Sequence, residues 1–335
     1  MSEELVYVTR GELIENIHRG DVAVVNARGE IIAKVGNPHK VTYMRSSAKP
    51  IQACAVIESG ATEHFSLNEK EIAVICASHY AEDFHTEAVL SILEKIGLDE
   101  EAFLLGATYS LNDNITSQFL REGKEKRKIY NNCSGKHSGM LALAMHMGYD
   151  IKTYDKLENP VQQMMLETVA EFVAMKKEDI NIGIDGCGVP VFGMPIYNMA
   201  LSYAKMADVS SFEEERREAV NKIVDSMTKY PEMIAGTGGF CSELMKVTNG
   251  RIFGKLGADG VYCLGIRGKG IGIALKVEDG SAKALSCVVI EALRQLDELS
   301  DSEFKMFESF YIKENINTQG RKVGEMKPDF RLSFL

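Results

Sequence analysis

Arg251-Ile252-Phe253-Gly254-Lys255, Gly260-Val261-Tyr262-Cys263-Leu264 and the run from Gly270 to Val277 bring strand formers back late in the chain. The turn signals Gly257-Ala258-Asp259-Gly260 and Glu278-Asp279-Gly280-Ser281 bound them. These runs decide the fold because comparable strand character is otherwise found at the opposite end. There Leu5-Val6-Tyr7-Val8-Thr9 reads as a strand, and Val22-Ala23-Val24-Val25 and Ile31 to Val35 flank Asn26-Ala27-Arg28-Gly29-Glu30 as a hairpin. Between the two ends, residues 47–59, 68–75, 83–97, 112–123, 138–147, 158–176 and 212–229 read mainly as helices. Lys283 to Leu296 reads as a further helix, apolar at Ala284, Val288, Val289 and Ala292, and the polar tail from Lys313 is expected to pack loosely. The simplest assembly is an α/β chain of the α+β type: one antiparallel sheet built from N- and C-terminal strands, with a helical region inserted. The expectation is a single domain over 1–335, its sheet part about 1–45 and 250–300 and its helical part about 46–249.

Composition narrows the partners. The net charge of -10 leaves no basic excess to neutralise phosphates or anionic lipid, so neither nucleic acid nor a membrane surface is expected. The first residues, Met1-Ser2-Glu3-Glu4-Leu5, lack a basic segment followed by an apolar one, and no apolar run is long enough to span a bilayer. A cytoplasmic location is the expectation. The seven cysteines, Cys54, Cys76, Cys133, Cys187, Cys241, Cys263 and Cys287, are scattered and odd in number, and read as reduced thiols.

Five segments could carry chemistry. In Arg45-Ser46-Ser47-Ala48-Lys49-Pro50, a helix would put Ser46 and Lys49 on one face, three residues apart. A lysine can deprotonate a serine only when neutral, which burial near other cations favours; the bland alternative is a solvated helix start with a serine cap. Cys76-Ala77-Ser78-His79, with Glu82 and His85, follows an apolar element, where rigid support suits a site; the alternative is a helix start capped by Ser78. Asn131-Asn132-Cys133-Ser134-Gly135-Lys136-His137-Ser138-Gly139 is not a phosphate loop: Tyr130 stands at the first glycine position and His137 at the Ser/Thr position. Cys133 there could bind a soft metal, the donors could hold an oxyanion, or the thiol could simply be buried. In Asp185-Gly186-Cys187-Gly188 the glycines permit close backbone approach, although, taken alone, the segment reads better as a tight turn holding a buried thiol. Lys255-Leu256-Gly257 ends a late strand, its glycine sparing a side chain that would block a substrate; taken alone it is an exposed strand-end lysine.

Arg45 to Pro50, Cys76 to His79 with the later Glu82 and His85, Asn131 to Leu141 and Asp185 to Pro190 occur in this order. Together they resemble the asparaginase II family of rhizobial type, the third structural class of L-asparaginases, from about Val8 to about Leu293. The resemblance implies a fold like the serine β-lactamases and penicillin-binding proteins, whose Ser-x-x-Lys and strand Lys-x-Gly are paralleled here. It also implies a single catalytic domain that hydrolyses L-asparagine to L-aspartate and ammonia. By resemblance, Ser46 with Lys49 and Ser78 with Lys255 form two serine–lysine pairs, and Cys133, Lys136 and Cys187 form a zinc-binding set. Arg45 or His79 would meet the substrate carboxylate and Glu82 its amine. Zinc would tune or stabilise the site, and a homodimer is expected. Many relatives carry Arg-Phe-Asp after Ala-Gly-Thr-Gly, whereas this chain has Gly239-Phe240-Cys241, without the arginine and the acid. Three alternatives stand beside this reading. One is a glutaminase or β-lactamase-like enzyme on the same scaffold, another a threonine amidohydrolase cleaved at Gly236-Thr237, and the third a non-catalytic zinc- or amino-acid-binding relative.

Overall fold

The computed structural model describes residues 2–335. Its strands are β1 (Glu3–Arg10), β2 (Leu13–Asn26), β3 (Ile31–Val35), β4 (Val41–Tyr43), β5 (Asn181–Ile184), β6 (Pro190–Pro195), β7 (Ile252–Gly257), β8 (Val261–Ile266), β9 (Ile271–Val277), β10 (Lys313–Ile316), β11 (Lys322–Pro328) and β12 (Ser333–Phe334). Its helices are α1 (Lys49–Glu58), α2 (Ala61–His64), α3 (Glu69–Ile75), α4 (Asp83–Lys95), α5 (Asp113–Arg121), α6 (Ser134–Met147), α7 (Pro160–Phe172), α8 (Ile196–Ala207), α9 (Glu214–Lys229), α10 (Phe240–Val247), α11 (Ala282–Gln295), α12 (Asp301–Met306) and α13 (Glu308–Tyr311). The chain divides into two compact units: Met1–Ser47, Met194–Asp208 and Val247–Leu335 form a sheet unit, and Ala48–Gly193 and Val209–Lys246 a helical one.

In the sheet unit the order is β10-β11-β1-β2-β9-β8-β7, with β3 on β2 and β12 on β3. The expected hairpin forms, Val22 opposite Val35 and Val24 opposite Ala33, with Gly29 in the left-handed region at its turn. β2 then pairs with β9 from Gly20 to Asn26, so strands from both ends share one antiparallel sheet, as the pattern of strand formers requires. α8 lies on this sheet at Gly272, where an added Cβ would stand 1.9 Å from the Ala200 carbonyl. The four apolar positions read in the last long helix, Ala284, Val288, Val289 and Ala292, are all buried in α11, which packs on β1, β8 and β11. The tail corrects one expectation. β10 pairs with β11, and β11 pairs with β1 through Val6–Pro328 and Val8–Met326, so residues 313–328 extend the sheet. Their polarity misled because the outer strands are half exposed, and backbone pairing holds them without an apolar face.

In the helical unit α1 packs against α6, α7 and α9, and α3 against α4, α6 and α9. α6 begins at Ser134, four residues before the expected start, because the run Ser134–Ser138 is buried helix and not a polar turn. Gly135 and Gly139 let α6 and α3 approach closely: a Cβ at Gly135 would lie 2.0 Å from the Val74 carbonyl, and one at Gly139 2.8 Å from Ile75 Cγ2. β5 and β6 form a hairpin inside the region expected to be helical, because short apolar runs do not reveal their period. All seven cysteines are buried, and none forms a disulfide. Among the described residues, no helix is long and apolar enough to cross a membrane.

Candidate active site

Lys49 opens α1 with its side chain 1% exposed. α1 follows a 3₁₀ turn, Arg45–Ala48, without a side-chain cap, so the serine-cap reading of Ser46 does not hold. Lys49 Nζ donates to the Ala77 carbonyl, to Ser78 Oγ at 3.1 Å and to the Asn132 carbonyl at 3.3 Å. The interior accepts this lysine because acceptors surround it. Ser78 does not cap a helix; its backbone N–H donates to the Ile234 carbonyl at 2.9 Å.

The loop after Ser78 is braced by two histidines. His79 is fully buried: Nδ1 accepts from the Ala81 N–H at 3.1 Å, and Nε2 lies 2.8 Å from Ser134 Oγ. Because Nδ1 accepts, the neutral ring carries its proton on Nε2 and donates to Ser134. Burial, with His85 and Lys49 nearby, holds the His79 pKa well below the usual histidine range. His85 stacks on His79 at 5.2 Å and contacts the Glu232 carbonyl at 3.0 Å, and burial lowers its pKa to about 4. Ala81 between them has φ +58°, a conformation that L-residues keep only where their surroundings hold them. Glu82 caps α4, receives the Thr237 N–H at 2.9 Å and is partly exposed.

A second buried polar group joins Cys133, Lys136 and Cys187. Lys136 Nζ lies 3.1 Å from Cys187 Sγ. The Cys133 thiol, hydrogen-bonded to Cys187, lowers the Cys187 pKa, and the Lys136 ammonium lowers it further. The reverse effect of Cys187, together with burial, raises that of Cys133. Burial opposes the charge on Lys136, but Cys187, Cys133 and Asp185 outweigh it and keep the ammonium. The described residues contain no group of three or more His, Cys, Asp or Glu placed to hold a metal.

Ser46, Arg45 and Lys255 belong to the sheet unit. Ser46 is half-buried in the 3₁₀ turn, and Arg45 before it has φ +52° and an ion pair with Asp259. Lys255 is not an exposed strand end: it lies within β7, 1% exposed, with Nζ donating to the Leu256 carbonyl at 2.9 Å. The glycine two residues on has a different cause from the expected one. A Cβ at Gly257 would meet the Met44 carbonyl at 2.7 Å, so it admits backbone of the Ser46 turn rather than substrate. The sequence reading missed Ser47, whose Oγ donates to the Met44 carbonyl at 2.6 Å and accepts from Cys263 Sγ at 3.4 Å, while its carbonyl accepts from Tyr203 Oη at 2.8 Å. It also missed Asn132, Ser134 and Asp259. Their signal was adjacency to residues already singled out.

The sequence pattern of the L-asparaginase II family matches residues 6–328. This chain belongs to the L-asparaginase II family. The family is one of amide hydrolases, which makes this member an asparaginase-type hydrolase acting on a small molecule. No curated protein matches the chain. Among solved structures, this family member is similar to a β-lactamase from Mycobacterium bovis, at 13% identity and a TM-score of 0.42, over 87% of this chain and 92% of that one. It is also similar to the octameric penicillin-binding protein homologue from Pyrococcus abyssi, at 12% identity and a TM-score of 0.35, over 83% and 73%. A Cβ at Gly239 would stand 2.6 Å from Ala235 Cβ and 3.2 Å from Tyr80 Oη. At Gly236, φ is +140° and a Cβ would meet Tyr80 Cδ2 at 2.5 Å, so the loop closes on Tyr80 and leaves a side chain at 239 no room.

Proposed function

We propose that this chain is an L-asparaginase that hydrolyses the side-chain amide of L-asparagine to L-aspartate and ammonia by serine–lysine catalysis. Membership of the family supports the substrate. The single observation that supports serine–lysine chemistry, without choosing between the two serines, is the buried Lys49 amine 3.1 Å from Ser78 Oγ. In this reading Lys49 first gives up one of its three protons, and its free amine then takes the proton of Ser46 Oγ, which attacks the side-chain amide carbon. The proton passes to the departing nitrogen, ammonia leaves, and water hydrolyses the acyl-enzyme. Ser78 relays protons through Lys49, with Lys255 as its second cationic partner, and backbone N–H groups stabilise the oxyanion. Arg45 meets the substrate carboxylate and Glu82 its ammonium. His79 was a candidate for the carboxylate. With both ring nitrogens engaged and its proton held off by burial, it suits the role of a brace for the Ser78 loop better.

The direct Lys49–Ser78 hydrogen bond favours a second reading, in which Ser78 attacks and Ser46 assists. Ammonia release from L-asparagine, L-glutamine and a chromogenic β-lactam by wild type, Ser46→Ala, Ser78→Ala and Lys49→Ala tests both. The proposal expects asparagine turnover that is lost in Lys49→Ala, and an acyl adduct that mass spectrometry finds on Ser46. An adduct on Ser78 establishes the second reading, and turnover of glutamine or the β-lactam alone removes the asparaginase assignment.

Zinc is the metal we propose for Cys133, Lys136 and Cys187. The donor set fits a divalent cation. Two thiolates, one neutral amine and a dication sum to zero, so the set can hold a divalent cation without leaving net charge in the interior, and binding would release protons. A zinc ion there would supply a cross-link and a fixed positive field. The chain's own residues carry the proton transfers.

A further inference from the structure

We propose that Asp259 is a positioning residue for the reaction. Its carboxylate, in the turn between β7 and β8, grips the Arg45 guanidinium and so fixes the backbone that carries Ser46. The inference rests on Ser46 being the nucleophile, as read above.

All of the parts lie in the sheet unit. Arg45 has φ +52°, and a long side chain keeps that conformation only where something holds it. The residue after Ser46 is tied down by its contacts with Tyr203 and Cys263, and Cys263 sits opposite Lys255 on the neighbouring strand. The residue before Ser46 is held through its side chain, by Asp259. The turn that bears Asp259 is a firm anchor. Val277 N–H donates to the Gly260 carbonyl at 2.7 Å, and Lys276 Nζ to the carbonyl of Asp259 itself. Asp259, at φ +57°, is also in the left-handed region, which aspartate and asparagine tolerate better than most residues. Gly257 completes the fit, because the Met44 carbonyl occupies the space of its missing side chain. The nucleophile turn and the hairpin that supplies Lys255 are thus registered by backbone contact at Gly257 and by charge at Asp259. An aspartate exposed in a turn, paired with the residue before the nucleophile, has no need of that partner for its own solvation. What the pair accomplishes is orientation, and small misplacements of a reacting group are costly.

Asp259→Asn removes the charge while keeping the shape and the left-handed tolerance. It is expected to lower kcat on L-asparagine about ten-fold with KM within two-fold and the thermal midpoint unchanged. The rate at which a fluorophosphonate labels Ser46, located by peptide mass spectrometry, should fall by the same factor. Arg45→Gln combined with Asp259→Asn should lower that labelling rate no further than the more damaging single variant, because both remove one contact. An altered KM with unchanged kcat would make Asp259 a competitor of substrate for Arg45 and overturn the proposal; unchanged kcat and labelling would reduce the pair to surface decoration. Labelling on Ser78 instead of Ser46 in wild type refutes the nucleophile assignment itself, and wild type without asparagine turnover but with Ser46 labelled leaves the positioning test readable.

Discussion

The helical unit and the sheet unit hold their polar residues in different ways. Around the start of α6 the helical unit buries Lys49, His79, Ser134, Lys136 and His137, and each finds a partner in a neighbouring loop or helix. The sheet unit buries mostly aliphatic side chains. Lys255 apart, which is buried within β7, its candidate residues Arg45 and Ser46 sit in a half-exposed turn whose shape comes from a left-handed residue and a neighbouring hairpin. The contrast shows two routes to a fixed side chain. In the first, every lost partner leaves a buried polar group unpaired; in the second, a backbone turn is clamped and the cost of loosening it is in orientation.

The sharpest way to break this contrast is at Lys49. Lys49→Met should abolish the base and reduce kcat by about 10²–10⁴-fold, measured by ammonia release; retention of activity would show that the buried network is only structural. Packing comes next. Gly135→Ala places a methyl where the Val74 carbonyl stands 2.0 Å away and should cost about 3 kcal/mol in urea unfolding. Gly257→Ala, whose methyl would meet the Met44 carbonyl at 2.7 Å, should cost about 1–2 kcal/mol, since a turn shifts more easily than two packed helices. Equal losses would erase the distinction. Zinc at about one hundred times its dissociation constant should stabilise wild type by about 2.7 kcal/mol in thermal melts and leave Cys133→Ser unchanged. Acid acts more gradually. His79 and His85 have pKa values lowered by burial, that of His85 to about 4, against about 6.5 in an unfolded chain. Below pH 6.5 the unfolded chain takes protons that the folded one refuses. The stability these two residues contribute is therefore present above pH 6.5 and is lost as pH falls; for His85 the loss runs towards pH 4 at about 1.4 kcal/mol per pH unit. Urea midpoints at pH 7.5, 6 and 5 measure it, and His85→Gln should flatten the slope.

Much of this was legible along the chain. The valine and isoleucine runs at both ends announced a shared sheet, because alternation and turn residues are local properties. Ser46, Lys49, Ser78, Cys133, Lys136, Cys187 and Lys255 all stood out by residue type and neighbours. The two strands of the 313–328 tail did not, since edge strands are held by backbone hydrogen bonds that no side-chain pattern records. Nor did the first turn of α6, where Ser134 to Ser138 look like a loop in composition but form buried helix, with α3 packed close against Gly135 and Gly139.

By itself, then, the sequence determined the class of the fold and the family and singled out candidate residues for the chemistry, because these depend on residue type and on spacing within one segment. Only the tertiary structure decided which groups meet. It set Lys49 against Ser78, turned His79 from a free ligand into a buried brace, gave Arg45 to Asp259 and explained Gly257 by the Met44 carbonyl. Those outcomes depend on the approach of segments distant in sequence, and burial and desolvation are properties of the packed interior that no single segment carries.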